Sequence, residues 1–247
     1  MPRKYVPSRS ERKGFTLIEL IVVVTIIGIL SAIVLVSIRG ALATARKSRC
    51  LSNMRQIGVA VHQYIADNKG RLPYGYWTGH SPWDKLIAPY MNITDPDGGK
   101  AAAVLACPND HLPPISPATR VRRTYSLVRA NNSGIKGVID TSSNSTQSPR
   151  IFRITEVDSP GRLLLAAELS HASATGDGSD SYFGGSAASV IDRPRTQLDA
   201  GVGSRLHDGR FSYLFVDGHV KSYRPEETIG GGTLDIPKGM WSRFHEN

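Results

Sequence analysis

From Phe15 to Ile38 the chain is apolar almost without interruption, FTLIELIVVVTIIGILSAIVLVSI, and beyond Leu17 its one charge is Glu19. A run of about 20 apolar residues is long enough to cross a hydrocarbon core of about 30 Å as a helix. Lipid leaves backbone groups without partners, so the helix is the conformation such a run must take. After Arg39 the pattern changes to a helical alternation. Leu42, Leu51, Met54, Gly58, Val61 and Ile65 fall near one face, with Arg46, Lys47, Arg49, Arg55 and Gln56 between them. Asn68-Lys69-Gly70 supplies a stop and Pro73 follows it. One helix from Phe15 to about Asn68 is the expectation, roughly 80 Å long at about 1.5 Å per residue.

Downstream the pattern shortens. Arg122–Val128, Ile151–Val157 and Arg162–Glu168 read as strands, and Phe211–Val216 and His219–Tyr223 as a hairpin turning at Asp217-Gly218. Asp-Gly there favours a type I′ turn. Asn131–Pro149 and His171 to about Asp199 are rich in Ser, Asn and Gly and read as loops. The fold class is therefore α+β: a long N-terminal helix packed on a small antiparallel sheet with long loops. The expected divisions are a basic leader at 1–14, a transmembrane segment at 15–38, an amphipathic continuation at 39–69, and a globular domain at 70–247 closed by a hairpin element at 207–224.

Composition sharpens this picture. The chain has 247 residues with 40% hydrophobic content, enough for one moderate core. A mean hydropathy of -0.21 excludes a multi-span membrane protein. The formal charge is +9, but residues 1–14 hold Arg3, Lys4, Arg9, Arg12 and Lys13 against Glu11 alone, so the rest of the chain carries +5. That residue of charge argues against nucleic acid as a main partner. The basic end reads as a cytoplasmic topology determinant, which places the C-terminal bulk across the membrane.

A secretory signal peptide has a shorter apolar core with small residues after it. Ser31-Ala32 imitates that site, yet apolar residues continue to Ile38. The placement of Glu19 points elsewhere. A carboxylate in the bilayer costs roughly 2.5–3.5 kcal/mol near the centre and less near the interface, so it normally has a partner. Cleavage before Phe15 would create an α-amino group, and an amine on one subunit pairing with Glu19 of its neighbour would set the register of packed helices. The plain alternative is a Glu at the membrane surface without a partner.

The string KGFTLIELIVVVTIIGILSAI resembles the prepilin cleavage and methylation signature of type IV pilins and type II secretion pseudopilins. The resemblance implies a peptidase cut after Gly14, N-methylation of Phe15, and Glu19 as the assembly glutamate, with the catalytic residues belonging to the peptidase. It also implies a single-pass protein of the bacterial inner membrane, N-terminus cytoplasmic and domain periplasmic or extracellular. Its partners would be prepilin peptidase, other pilin or pseudopilin subunits, the inner-membrane assembly platform and membrane lipid. Many pilins carry a proline deep in this helix, and none stands between Pro7 and Pro73 here, which favours a short assembly over a long pilus.

CLSNMRQIGVAVHQYIADNKGRLP resembles a subgroup of prepilin-like proteins of environmental bacteria, and Cys107-Pro108-Asn109-Asp110 its Cys-Pro turn. His207, nine residues and Asp217-Gly218 match the H-X9-DG element of that subgroup.

Other chemistry is thinner. Cys50 and Cys107 allow one pairing in an oxidising compartment, or are two small buried side chains. Two thiols are too few for a four-cysteine zinc site. His207, Asp217 and His219, with Asp208 nearby, offer a candidate calcium or zinc set, and the alternative is His207 hydrogen-bonded to the hairpin turn. No other cofactor is expected. His62 reads as a packed helical residue. Tyr74, Tyr76, Trp77, Trp83 and Tyr90 form either a sugar-stacking surface or a satellite core.

The reading is thus a structural subunit of a type II secretion pseudopilus or type IV pilus-like fibre, and not an enzyme. One alternative is a membrane-tethered sugar-binding module or enzyme that borrows the signal for export. Such an enzyme would draw on Glu168, His171, Asp177 and Asp180, which no recognised motif unites. Another is a DNA-binding minor pilin using Arg120, Arg122 and Arg123.

Overall fold

The computed structural model describes residues 15–75, 80–94, 99–110, 112, 121–129, 137, 139, 151–170, 183–184, 190–199 and 206–242. Gly14, Tyr76, Trp77, Arg120, His171, Asp177 and Asp180, and all but two residues of the 131–149 loop, lie outside them. The described architecture is α+β: a long N-terminal helix and a five-stranded mixed sheet. Helix α1 runs Leu17–Asp67. The chain divides into two compact units, Met1–Ala45 and Arg46–Asn247.

In the first unit α1 buries almost nothing of itself. Large apolar side chains from Phe15 to Leu35 stay exposed, from 46% at Val23 to 80% at Phe15. Among the described residues this is the one helix long and apolar enough to cross a membrane.

In the second unit the same helix becomes amphipathic. Cys50, Met54, Ile57, Val61 and Ile65 are buried at spacings of three and four residues. Leu42, expected on this face, is exposed, and Leu51 is only half-buried. The buried stripe therefore begins at Cys50 and includes Ile57. Gly58 lies on it because a Cβ there would come within 2.9 Å of Leu214 Cδ1. The helix ends in a Schellman arrangement: Lys69 (φ 57°) is left-handed, and the Gly70 N–H donates to the Ile65 carbonyl at 2.9 Å.

After α1 come the short helices α2 (Trp83–Ile87) and α3 (Arg195–Leu198) and strands β1 (Tyr125–Val128), β2 (Leu164–Glu168), β3 (Val190–Ile191), β4 (Phe211–Phe215) and β5 (Val220–Tyr223). The sheet order is β3-β1-β2-β4-β5. It is mixed, not antiparallel as expected, because β3 joins β1 in parallel. That strand lies in the stretch read as loop, which also contains α3; two paired residues are too short to leave a period-two signal. The expected strand at Ile151–Val157 is instead one bridge, Arg71 to Arg153, followed by a 3-10 turn over Ile154–Glu156. Its apolar residues pack as single anchors, not as a ladder.

Strands β1, β2 and β4 are buried throughout. One face meets α1 through Tyr125, Leu127, Leu165, Ala166 and Leu214. The other carries Leu164, Ala167, Phe211, Tyr213, Phe215 and Trp241. The alternation slips at Leu165, where a register shift between Leu164 and Ala166 inserts an extra residue.

The hairpin of β4 and β5 turns at the expected place by different geometry. Gly218 has φ 91° and Asp217 is not in the left-handed region, so this is not a type I′ turn. The Gly218 N–H donates to Phe215 O, and the Phe215 N–H to His219 O. This is the longer loop in which a glycine follows a type I turn.

Candidate functional site

In the first unit the site is the start of α1. Thr16 precedes the helix and Glu19 closes its first turn. One oxygen of Glu19, Oε2, accepts hydrogen bonds from the Thr16 N–H and the Thr16 hydroxyl, both at 2.8 Å. The Thr16 hydroxyl oxygen in turn accepts from the Glu19 N–H at 3.3 Å. This is a capping box, and its signal, T-x-x-E before an apolar run, stands at Thr16–Glu19. Sequence reasoning singled out Glu19 and missed Thr16. The carboxylate therefore has donors within its own chain, a case distinct from both a neighbour's amine and a Glu without a partner. Both bonds fall on Oε2, and among the described residues Oε1 accepts none. Phe15 beside it is the most exposed large apolar residue of the segment.

In the second unit the polar residues singled out in sequence are redistributed. Cys50, on α1, and Cys107 form a disulfide. Cys107 opens the Cys-Pro turn, closed by the Asp110 N–H donating to Cys107 O at 2.8 Å. Asp110 then accepts from the Thr124 hydroxyl at 2.8 Å and the Ser170 hydroxyl at 2.6 Å, which ties the turn to the sheet. His207 is buried against this turn. Its Nδ1 faces Asn109 Nδ2 at 3.2 Å, and its Nε2 lies 3.4 Å from Cys107 Sγ and 3.3 Å from Glu168 Oε1. Glu168 ends β2, wholly buried, and its Oε2 accepts from the Ser212 N–H of β4 at 2.6 Å.

The candidate metal set His207, Asp217 and His219 is not assembled. Asp217 and His219 pair with each other at 2.6 Å across the hairpin turn, and His219 stacks on Phe215 at 4.0 Å. Partial burial pushes the Asp217 carboxyl up, but the bonds from the His219 N–H and ring outweigh it, and the group sits below its ordinary range. His207 does not bond the hairpin turn either; its partners are the Cys-Pro turn and β2. Among the described residues the group that gathers metal-type donors is Cys50, Cys107, Glu168 and His207. The turn glycine, Gly218, has its own contact: a Cβ there would meet His62 Nε2 at 3.4 Å.

Two of the alternatives each lose a residue. Arg123 is fully buried and bonds Asp84 at 2.6 Å, so it is not part of a phosphate-binding cluster. Trp83 is also fully buried, which removes it from any sugar-stacking surface, while Tyr90 donates to Asp67 at 3.0 Å.

Residues 9–35 match the family model for the prokaryotic N-terminal methylation motif. Residues 40–95 match a family described as a protein of unknown function (DUF1559). Type IV major fimbrial proteins FimA of Dichelobacter nodosus are similar to the chain. One is 35% identical over 102 residues, which is 40% of this chain and 65% of the relative. A second is 41% identical over 71 residues, or 28% and 46%. A third is 43% identical over 61 residues, or 25% and 38%. The chain thus spans 65% or less of the length of these curated relatives. No solved structure matches it. The chain carries a prepilin-type methylation motif on a helix able to act as a single-pass anchor.

Proposed function

We propose that the protein is a pilin-like subunit, cut after Gly14, methylated on Phe15, and assembled through its helix into a type II secretion pseudopilus or a related fibre. The observation that carries this reading is the first unit of α1, an exposed apolar helix whose one acid sits in its first turn beside Phe15. An apolar surface of that length needs lipid or other helices around it. The Thr16–Glu19 cap uses only residues after the cut, so it survives processing, and Glu19 Oε1 remains to accept the new amine of a neighbouring subunit. The anchor would lie in the inner membrane with the basic end cytoplasmic and the second unit outside. Prepilin peptidase, sibling subunits and the assembly platform are the partners this implies. The spacing from His207 to Asp217-Gly218 supports assigning the second unit to the subgroup named for the H-X9-DG element.

Mass spectrometry of the N-terminal peptide, on protein made in cells with the processing peptidase, tests the cut. The native chain should begin at N-methylated Phe15, and Gly14→Asp should keep its leader. A mature end at Phe15 in Gly14→Asp would sink the cleavage assignment. Glu19→Ala should be processed normally and yield fewer cross-linked oligomers. Undiminished cross-linking in that variant would remove the register role.

A further inference from the structure

The cluster around His207 holds more chemistry than a disulfide requires. A buried imidazole and a buried carboxylate are costly unless their partners compensate. Here the imidazole lies against the Cys107 sulfur and the carboxylate against the imidazole. The backbone is bent to achieve it: His207 (φ 47°) and Asp208 (φ 59°) are consecutive left-handed residues that are not glycine. Each such residue costs on the order of 1–3 kcal/mol and persists where surrounding structure demands it. The result is that one donor atom from each of Cys50, Cys107, Glu168 and His207 lies within 4.8 Å of the other three.

We propose that reduction of the Cys50–Cys107 disulfide converts this cluster into a four-ligand site for a thiophilic divalent metal, zinc above all. The distances fit. In a tetrahedral zinc site the ligand–metal lengths imply an N–O edge of about 3.3 Å and an S–N edge of about 3.5 Å. The His207–Glu168 and Cys107–His207 separations are 3.3 and 3.4 Å. Reduction frees the two sulfurs to part to the S–S edge of about 3.8 Å that such a site requires. Glu168 is set to bind through one oxygen, because Oε2 is held by the Ser212 N–H and Oε1 faces His207.

The chemistry balances with a dithiol as reductant. Its two thiols become a disulfide, and Cys50 and Cys107 each gain one electron and one proton. The metal then displaces both thiol protons. His207 coordinates through Nε2 and carries its ring proton on Nδ1, where Asn109 meets it with its amide oxygen after a flip of the side chain. A hydrogen bond to the far ring nitrogen is the usual support of a metal-bound histidine. Access exists on the thiol side: a cleft of about 550 Å³, lined by Arg49, Asn53, Gln56, Ala106 and Pro108, reaches Cys107. The oxidised protein has no free thiolate to offer, so the site is gated by redox state.

Cobalt(II) is the probe, on the full chain in detergent, before and after treatment with dithiothreitol and its anaerobic removal. The reduced protein should bind one equivalent, with thiolate-to-cobalt charge transfer and the d–d bands of a tetrahedral ion; the oxidised protein should show neither. Zinc should bleach these bands and protect both thiols from alkylation. Asn109→Ala should weaken binding about 10-fold or more, and His207→Gln and Glu168→Gln further. No bands in the reduced native chain would overturn the proposal, as would equal binding by the oxidised chain. Unchanged affinity in all three variants would leave only two thiols binding, which overturns the four-ligand site. The native-chain result decides even where a variant does not fold.

Discussion

The two units treat the same kinds of residue in opposite ways. In Met1–Ala45 the isoleucines and valines of α1 up to Val34 stand exposed, and the one acid of the described helix there, Glu19, bonds through one oxygen to its own first turn. In Arg46–Asn247 the apolar residues close on a sheet, and the acids Asp84 and Glu168 are wholly buried, each with a partner far along the chain. The first unit leaves its apolar surface for a surrounding to cover; the second covers its own. Loss of a side chain should therefore register as a change of assembly in the first and of stability in the second.

The largest expected break of that comparison is Asp84→Ala. Asp84 accepts from Arg123 at 2.6 Å and from the Gly184 N–H at 2.8 Å, and the Arg123 guanidinium lies 5.8 Å from the Trp83 ring centre. Removing one partner of a fully buried pair leaves an uncompensated charge and costs about 3–5 kcal/mol. Chemical denaturation of the full chain in detergent, followed by Trp fluorescence, measures it. A loss under about 1 kcal/mol would mean the pair is not the buried charge it is argued to be.

A matched pair of substitutions sharpens the contrast. Met54 is fully buried in the core and Ile27 is 56% exposed. Met54→Ala should cost about 2–5 kcal/mol of domain stability through the cavity it leaves. Ile27→Ala should leave the same denaturation midpoint within about 0.5 kcal/mol while reducing cross-linked oligomers. Equal destabilisation by both would show that the apolar half is packed by its own chain after all.

What could be read in sequence follows the same division. The first unit was legible because a continuous apolar run, a basic flank and one acid are local signals, and all lie within residues 1–38. The turn at Asp217-Gly218 and strands β2 and β4 were legible for the same reason. The site around His207 was not. Cys50, Cys107, Glu168 and His207 stand 39 to 157 positions apart, and nothing local in sequence states that they meet. The nearest hint was Glu168 at the end of LLAAE, an acid on an otherwise apolar strand, which needs a partner once buried. Asp217 and His219 misled because proximity in sequence stood in for proximity in space, and the hairpin turn uses both for itself.

The smallest expected effect lies at the end of α1. Lys69 holds φ 57°, a conformation that glycine adopts at no steric cost and lysine does not. It is exposed, and the motif it completes needs only its backbone: the Gly70 N–H reaches back to Ile65 O. Relief of left-handed strain is worth about 1–2 kcal/mol, and the extra freedom glycine gains in the unfolded chain takes back about 0.4–1 kcal/mol. Lys69→Gly should therefore raise the stability of the second unit by about 0.5–1 kcal/mol, read as a higher denaturant midpoint at unchanged slope. Gly70→Ala, at φ 77°, should lower it. A fall in midpoint for Lys69→Gly would show that the lysine side chain contributes a contact that outweighs its backbone strain.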